Sequence, residues 1–394
     1  MIRDIPIMFI VGAGRTGSGF FASLLDSHEQ VLMLPMELKF YCEWKELQCD
    51  QLEDTNELAR RWLTGTKLKF FKGGLHQNHE KNQFTNCDFE TFSKLFRQYL
   101  AQGPINRRNT FYAIHQAYTQ SIGQDLSKVK YIVEFSAIHI DVDYALEDFP
   151  QAKFIEVARD QRGNYASYKQ WYLNSRRGLV DFVEKEKIQR YAMSALFRYL
   201  GNGFKRLYDC QQRVGQGRYY IVHMEDLHMR LEETMKNTAQ WMGIDFNEKL
   251  LNSTFGGRAW EGNSAFGQPV RGVDKEVANR WKNKLSKSEI LIVEKVFYKW
   301  MRRYGYEPTT DESELRDQLR LLVNCFIPVP GEFIFSLPKK DAKPFNKYMR
   351  RLWELNPVII MPLRFLNEIY RYLYRVFSFP VCRYRVFKQI VAMS

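Results

Sequence analysis

The chain has no C-x-x-C pair, and no histidine stands at zinc spacing from its scattered cysteines, Cys42, Cys49, Cys87, Cys210, Cys325 and Cys382. That pattern excludes a zinc ribbon and a thioredoxin-type redox centre, and no metal is expected. Scattered reduced thiols suit a cytosolic protein. No run of about 20 uncharged apolar residues occurs, so no membrane-spanning helix is expected. The opening MIRDIPIMFIVGAG runs into a glycine-rich turn without a secretory cleavage site, which makes the cytoplasm the expected location. There is no internal repeat and no low-complexity segment, against a solenoid or a disordered chain.

What is present is a chain of 394 residues, 45% apolar, with a formal charge of +13. The length suits one large domain with an appendage, or two domains, and the apolar content suits a sizeable core. The positive charge favours anionic partners: nucleotide, acidic substrate, anionic lipid or nucleic acid. Charge alone does not choose among them.

Short apolar runs rich in β-branched and aromatic residues read as buried strands at 5–11, 31–34, 131–135, 152–158 and 218–224. Helical patterns lie between them, notably at 164–200 and 225–243. Alternating strands and helices predict an α/β fold with a central, mainly parallel sheet flanked by helices. The expected division is a domain over 1–310, with a mostly helical insertion at 38–128 covering the site. A polar connector at 311–326 and a basic, aromatic appendage at 327–394 follow.

Residues 9–19 read FIVGAGRTGSG. Gly12, Gly14 and Gly17 satisfy the dinucleotide fingerprint G-x-G-x-x-G, and Gly12 to Gly17 nearly satisfy an ATP-binding P-loop. The ATP version needs a Lys after the last glycine, where this chain has Ser18. The dinucleotide version needs a small residue where Phe21 stands, although Glu37 sits at the distance of its ribose-binding acid. Arg15 lies in the middle of the turn. A hydride-transfer site has little use for that cation; a transferred anion does. The residues Gly14, Arg15, Thr16, Gly17, Ser18 and Gly19 lead into a helix N-terminus, which attracts phosphate or sulfate.

A second strand ends in a cation at Arg159, within AKFIEVARDQRGNYASYKQ, and Ser167 follows eight residues later. Arg159 at the carboxyl end of a strand points to the crevice where α/β sheets bind ligands. Arg and Ser together suit a phosphate. The competing reading is a surface ion pair between Arg159 and Asp160.

Taken together, these stretches resemble the two anchor motifs of the sulfotransferase family that uses 3′-phosphoadenosine 5′-phosphosulfate (PAPS). The family's loop is close to R-S-G-T-T, and this chain has Arg15-Thr16-Gly17-Ser18-Gly19. Its second element is close to V-x-R-D-P-R-x-x-x-x-S, matched here from Val157 to Ser167. DSHEQV (26–31), FPQAKFIEVARD, VHMEDL (222–227) and RGVDKEVANRWKNKLS (271–286) resemble further family motifs in the same order. The likeness covers about residues 5–306. It implies a P-loop-like fold with PAPS as co-substrate. Arg15, the loop and Ser18 would hold the sulfuryl and 5′-phosphate oxygens; Arg159, Ser167, Arg271 and Gly272 would hold the 3′-phosphate.

Glu37 is the preferred general base, against a solvated loop carboxylate; His28, His115 and His139 rank below it. Trp171 and Trp260 are candidates for an acceptor wall. The acceptor would be a hydroxyl or amine of a carbohydrate, a lipid-linked molecule or another small molecule, and no nucleic acid is expected. Two positions depart from the family. VEFSA (133–137) has Phe135 where a Lys often stands, and Gly19 replaces the loop's last Thr. The alternatives are a nucleotide kinase, an NAD(P)- or FAD-binding oxidoreductase, and an inactive membrane-recruited binding protein.

In the appendage, PLRFLNEIYRYLYRVF (362–377) reads as a helix beginning at Pro362. Arg364, Glu368, Arg371 and Arg375 share one face, and apolar residues surround the rest. Basic flanks extend the charge across 339–394. The helix suits an anionic membrane interface, making the protein peripheral on a membrane. It equally suits packing on the catalytic domain or on a homodimer partner.

Overall fold

The computed structural model describes residues 2–66, 68, 87–137, 140–175, 193–266, 272–309, 323, 325–328 and 357–391. Five short apolar runs form the strands β1 (Ile7–Val11), β2 (Val31–Met33), β3 (Tyr131–Ala137), β4 (Lys153–Ala158) and β5 (Tyr219–His223). They make one sheet in the order β2-β3-β1-β4-β5, with every neighbouring pair parallel. Continuous apolar strands of this kind need cover on both faces, and helices supply it.

The chain forms two units: Met1–Arg159 with Gly203–Ser264 and Gln268–Ala278, and Asp160–Asn202 with Ala265–Gly267 and Asn279–Ser394. The first holds the sheet. On one face, α1 (Ser18–Leu25) buries Phe21 and Leu24 with Ile10, Val133, Ile155 and Val157. The helices α2 (Phe40–Glu46), α3 (Thr55–Gly65), α4 (Phe89–Leu100), α5 (Arg107–Ile122) and α6 (Val142–Asp148) also belong to this unit. Aromatic rings knit the other face: Phe9 stacks on Phe154 at 5.3 Å, Phe40 on Trp62 at 5.1 Å, and Phe111 meets Phe40 edge-on at 5.4 Å. Such contacts add to area burial.

The second unit contains α7 (Gln161–Ser175) and the beginning of α8 (Met193–Val214). Further helices are α9 (Met224–Met229) and α10 (Leu231–Met242) in the first unit, and α11 (Lys287–Arg303) and α12 (Pro357–Val391) in the second. A capping box of Ser286 and Glu289 starts α11, satisfying amide donors that an open helix end leaves unpaired.

Among the element boundaries that differ from the sequence expectation, three have a plain physical reason. The first strand starts at Ile7, because Pro6 has no N–H for the ladder and serves only through its carbonyl, bonded by the Ile132 amide at 3.0 Å. The helix read over 225–243 is two helices, broken at Arg230 (φ −143°, ψ 49°), which ends one and caps the next. The appendage helix is longer than 362–377: Pro357 begins it, while Pro362 and Pro380 lie inside. Pro357 therefore takes the first-turn place where an absent N–H costs nothing. Most of the 311–326 connector falls outside the described residues.

Candidate functional site

The carboxyl end of β1 is the natural ligand position in this sheet. From β1 the chain goes out to β2 and returns through β3 on one side, then crosses to β4 on the other. The crevice where connections part in opposite directions is where open α/β sheets bind ligands.

The turn after β1 is built for close approach. Gly17 caps α1 in the left-handed region (φ 91°), where a Cβ would also meet the Met224 sulfur at 2.8 Å. Arg15 is left-handed too (φ 54°), a strained conformation for a side-chain-bearing residue and one that collects at functional sites. The first intrahelical bond of α1 runs from the Phe21 amide to Gly17, so the amides of Ser18, Gly19 and Phe20 have no intrahelical acceptor. Thr16 is buried, and its Oγ1 has no hydrogen-bond partner among the described residues. Ser18 is buried on the first turn beside it. An orphaned buried hydroxyl is costly and marks the turn as a place for an acceptor-bearing ligand.

Arg15 and Arg159, 144 residues apart, meet here. Arg159 Nη1 donates to the Arg15 carbonyl at 3.0 Å, and Arg15 Nη2 donates to the Asn263 carbonyl at 2.9 Å. Within the second unit, Asp160 is bonded by Arg162 through Nε at 2.9 Å and Nη2 at 2.7 Å. Arg162 also reaches Glu294 at 2.7 Å and stacks over Trp281 at 4.2 Å. The R-D-x-R stretch thus divides its cations: Arg162 is committed to buried carboxylates, while Arg159 turns to the loop. Ser167 is buried on α7 in the second unit. Arg271 lies outside the described residues. Gly272 (φ 66°) precedes Asp274, whose amide donates to His228 Nδ1 at 3.0 Å; the His228 ring stacks on Phe20 of α1 at 4.8 Å.

Gly19 leaves a space that other residues border. A Cβ there would meet Trp260 at 3.5 Å, Asn263 Nδ2 at 3.7 Å and Phe135 at 3.7 Å. Phe135 therefore faces α1 and the loop, as the family's Lys position implies, but with an apolar ring. Asn263 brings an amide toward the place of the absent Thr hydroxyl. No sequence motif singled it out; it lies four residues beyond the small hairpin of β6 (Thr254–Phe255) and β7 (Arg258–Ala259). The D-S-H stretch acts as a clamp for this region. Asp26 accepts from Thr254 Oγ1 at 2.8 Å and from the Gly256 and Gly257 amides, and His28 Nε2 lies 2.9 Å from the Asp245 carbonyl.

Glu37 is half-buried between β2 and α2. Beneath that segment lies a carboxylate that sequence reading passed over. Glu134 of β3 is buried, accepts from the Phe40 amide at 3.4 Å, and is bonded by the Ser136 hydroxyl. Burial pushes its carboxyl up to about 7, and the charge of Glu37 adds to the rise. The sequence signal was a lone acid inside the apolar run YIVEFSA. His115 is sealed in the core, with Nδ1 2.8 Å from the Phe111 carbonyl, and burial lowers it to about 4. It is no base for an acceptor. His139 lies outside the described residues. Trp260 borders the loop, whereas Trp171 is an exposed residue of α7.

A family model described as the sulfotransferase family matches residues 6–248. Among curated proteins, none matches the sequence. Among solved structures, the chain is similar to the sulfotransferase domain of the Synechococcus olefin synthase, at 19% identity, with 77% of this chain and 95% of that one covered and a TM-score of 0.47. It is also similar to the sulfotransferase domain of the curacin biosynthetic pathway, at 14% identity, 77% and 98% coverage and a TM-score of 0.47. A sulfotransferase from Mycobacterium avium is similar at 12% identity, 78% and 79% coverage and a TM-score of 0.39. The family match takes in more than half of the chain, from β1 through α10, and the protein belongs to the sulfotransferase family as an enzyme of sulfuryl transfer.

Proposed function

We propose that the protein transfers the sulfuryl group of PAPS to a hydroxyl or amine acceptor on a carbohydrate, a lipid-linked molecule or another small molecule. The buried Thr16 hydroxyl beside the α1 N-terminus, which has no hydrogen-bond partner among the described residues, is the observation that carries this reading. The residues at the turn fit an anionic nucleotide: uncapped amides, two hydroxyls, and the cations Arg15 and Arg159, the second of which donates to the Arg15 backbone carbonyl at 3.0 Å. In this reading the turn is a P-loop-like cradle for the 5′-phosphosulfate. Arg159 takes the 3′-phosphate, with Ser167, Arg271 and Gly272 added by the family motif.

Bound there, PAPS supplies an activated sulfuryl group. Catalysis is then positioning and charge stabilisation. Arg15 and Ser18 stabilise charge growing on the sulfuryl and leaving oxygens. The acceptor oxygen or nitrogen forms its bond to sulfur as the bond from sulfur to the 5′-phosphate oxygen breaks, and Glu37 takes the acceptor proton.

Isothermal calorimetry with the desulfated product PAP tests donor binding. Heat with PAP, together with a loss of about 10²–10³ in turnover of labelled PAPS for Arg15→Ala, is expected. Absence of PAP binding, or turnover unchanged in that variant, would sink the proposal. A screen of glycans, lipids, phenols and tyrosyl peptides with labelled PAPS identifies the acceptor.

A further inference from the structure

The C-terminal helix α12 presents two unlike sides. One is committed to the fold of the second unit: α12 packs on α11, Cys382, Arg383 and Val386 are buried, and Arg383 Nη2 donates to the Ile327 carbonyl at 3.0 Å. The other carries Leu366, Tyr370, Leu373, Phe377, Val381 and Tyr384, all exposed, Phe377 to 77%. Their spacings of four, three, four, four and three residues confine them to an arc of about 80°, running about 27 Å along the helix. Cys382, Arg383 and Val386 fall on the opposite side of the same projection. Exposed Lys388 continues the apolar arc, and exposed Arg385 flanks it. Soluble surfaces scatter such residues singly; a continuous stripe marks an interaction face.

The charge of the chain selects the partner. Residues 339–394 hold twelve Lys and Arg against three Asp and Glu, a net +9 of the chain's +13. A second copy of this helix would bring the same sign to the contact, whereas an anionic lipid surface brings the opposite one. No helix among the described residues is long and apolar enough to cross a membrane, and α12 itself contains six basic residues. An amphipathic helix with an apolar arc and basic residues lies in the headgroup interface.

We infer that α12 seats the protein on an anionic membrane surface through the 366–384 stripe, with the neighbouring Arg385 and Lys388 side chains contacting lipid headgroups. This assignment does not rest on the donor or acceptor reading.

Vesicle co-sedimentation of the full chain tests it, using phosphatidylcholine with 30% phosphatidylserine against phosphatidylcholine alone. Binding only to the anionic vesicles is expected, with weakening as salt rises. Phe377→Glu is expected to reduce that binding at least tenfold. Leu373→Ser with Val381→Ser removes apolar surface without adding charge and is expected to act the same way. All three positions are exposed, so thermal melting should stay at the wild-type value, separating lost contact from lost fold. No binding to anionic vesicles, or binding that survives both variants, would overturn the inference. So would a concentration-dependent dimer in sedimentation equilibrium that Phe377→Glu dissolves, because the stripe would then belong to a second copy.

Discussion

The Arg159 guanidinium donates to the carbonyl oxygen of Arg15 at 3.0 Å, fastening the end of β4 to the turn that follows β1. One cation thereby orders the backbone that presents the other. Arg159→Lys keeps the charge but loses the planar fork. We expect PAP affinity to fall about tenfold, about 1.4 kcal/mol, by calorimetry. Thermal stability should change little, because Asp160 keeps its partner Arg162. Unchanged PAP affinity would remove Arg159 from the proposed 3′-phosphate site.

Gly17 and Gly19 should respond oppositely to a methyl group. Gly17→Ala meets both a left-handed backbone and the Met224 sulfur at 2.8 Å, and should cost about 1–3 kcal/mol in urea unfolding. Adding Met224→Ala relieves the clash but not the backbone strain, so a double-mutant cycle should recover only part of the loss. Gly19→Ala places its Cβ at ordinary contact, 3.5 Å from Trp260, inside a helix where Ala is favoured by about 0.5–1 kcal/mol. A destabilised Gly19→Ala would show that this space is tighter than the geometry indicates.

Glu134 makes stability depend on pH. Its folded value of about 7 stands above the ordinary 4.5, chiefly through burial. Between those values the native state keeps a proton that the unfolded chain releases, so the wild type loses stability as pH rises through 4.5 to 7. Glu134→Gln keeps an acceptor for the Phe40 amide and removes the charge. Its advantage should be small at pH 4 and grow to about 3 kcal/mol at pH 8. Melting curves at both pH values decide; a constant difference would refute a raised Glu134.

Buried and exposed ion pairs should separate cleanly. Glu294 accepts from Arg162 at 2.7 Å and from the Thr309 amide and hydroxyl. Glu294→Ala strands these groups and should cost about 3–5 kcal/mol. Lys45 and Asp141 are paired at 2.6 Å, with the Lys45 side chain half exposed, and Lys45→Ala should cost less than about 1 kcal/mol. Equal losses in denaturant titration would contradict this ranking.

The five strands of the parallel sheet were legible because each is a short apolar run, a pattern dictated by burial on both faces of such a sheet. The glycine turn and the cations within and beyond it were legible as residue types. Glu134 was not read as part of the site, because an acid in an apolar strand acquires meaning only from what lies above it. Asn263 was silent because only the fold brings it to Gly19 from 244 residues away.

The sequence by itself determined the α/β class, the five strands of the parallel sheet and the family, since periodicity and ordered motifs are local and survive without coordinates. Tertiary structure alone decided which cation of R-D-x-R is buried in ion pairs and which turns to the loop, and which side of α12 is left exposed. Those outcomes depend on packing between segments distant in the chain, where burial and charge pairing select one partner among several that the sequence allows.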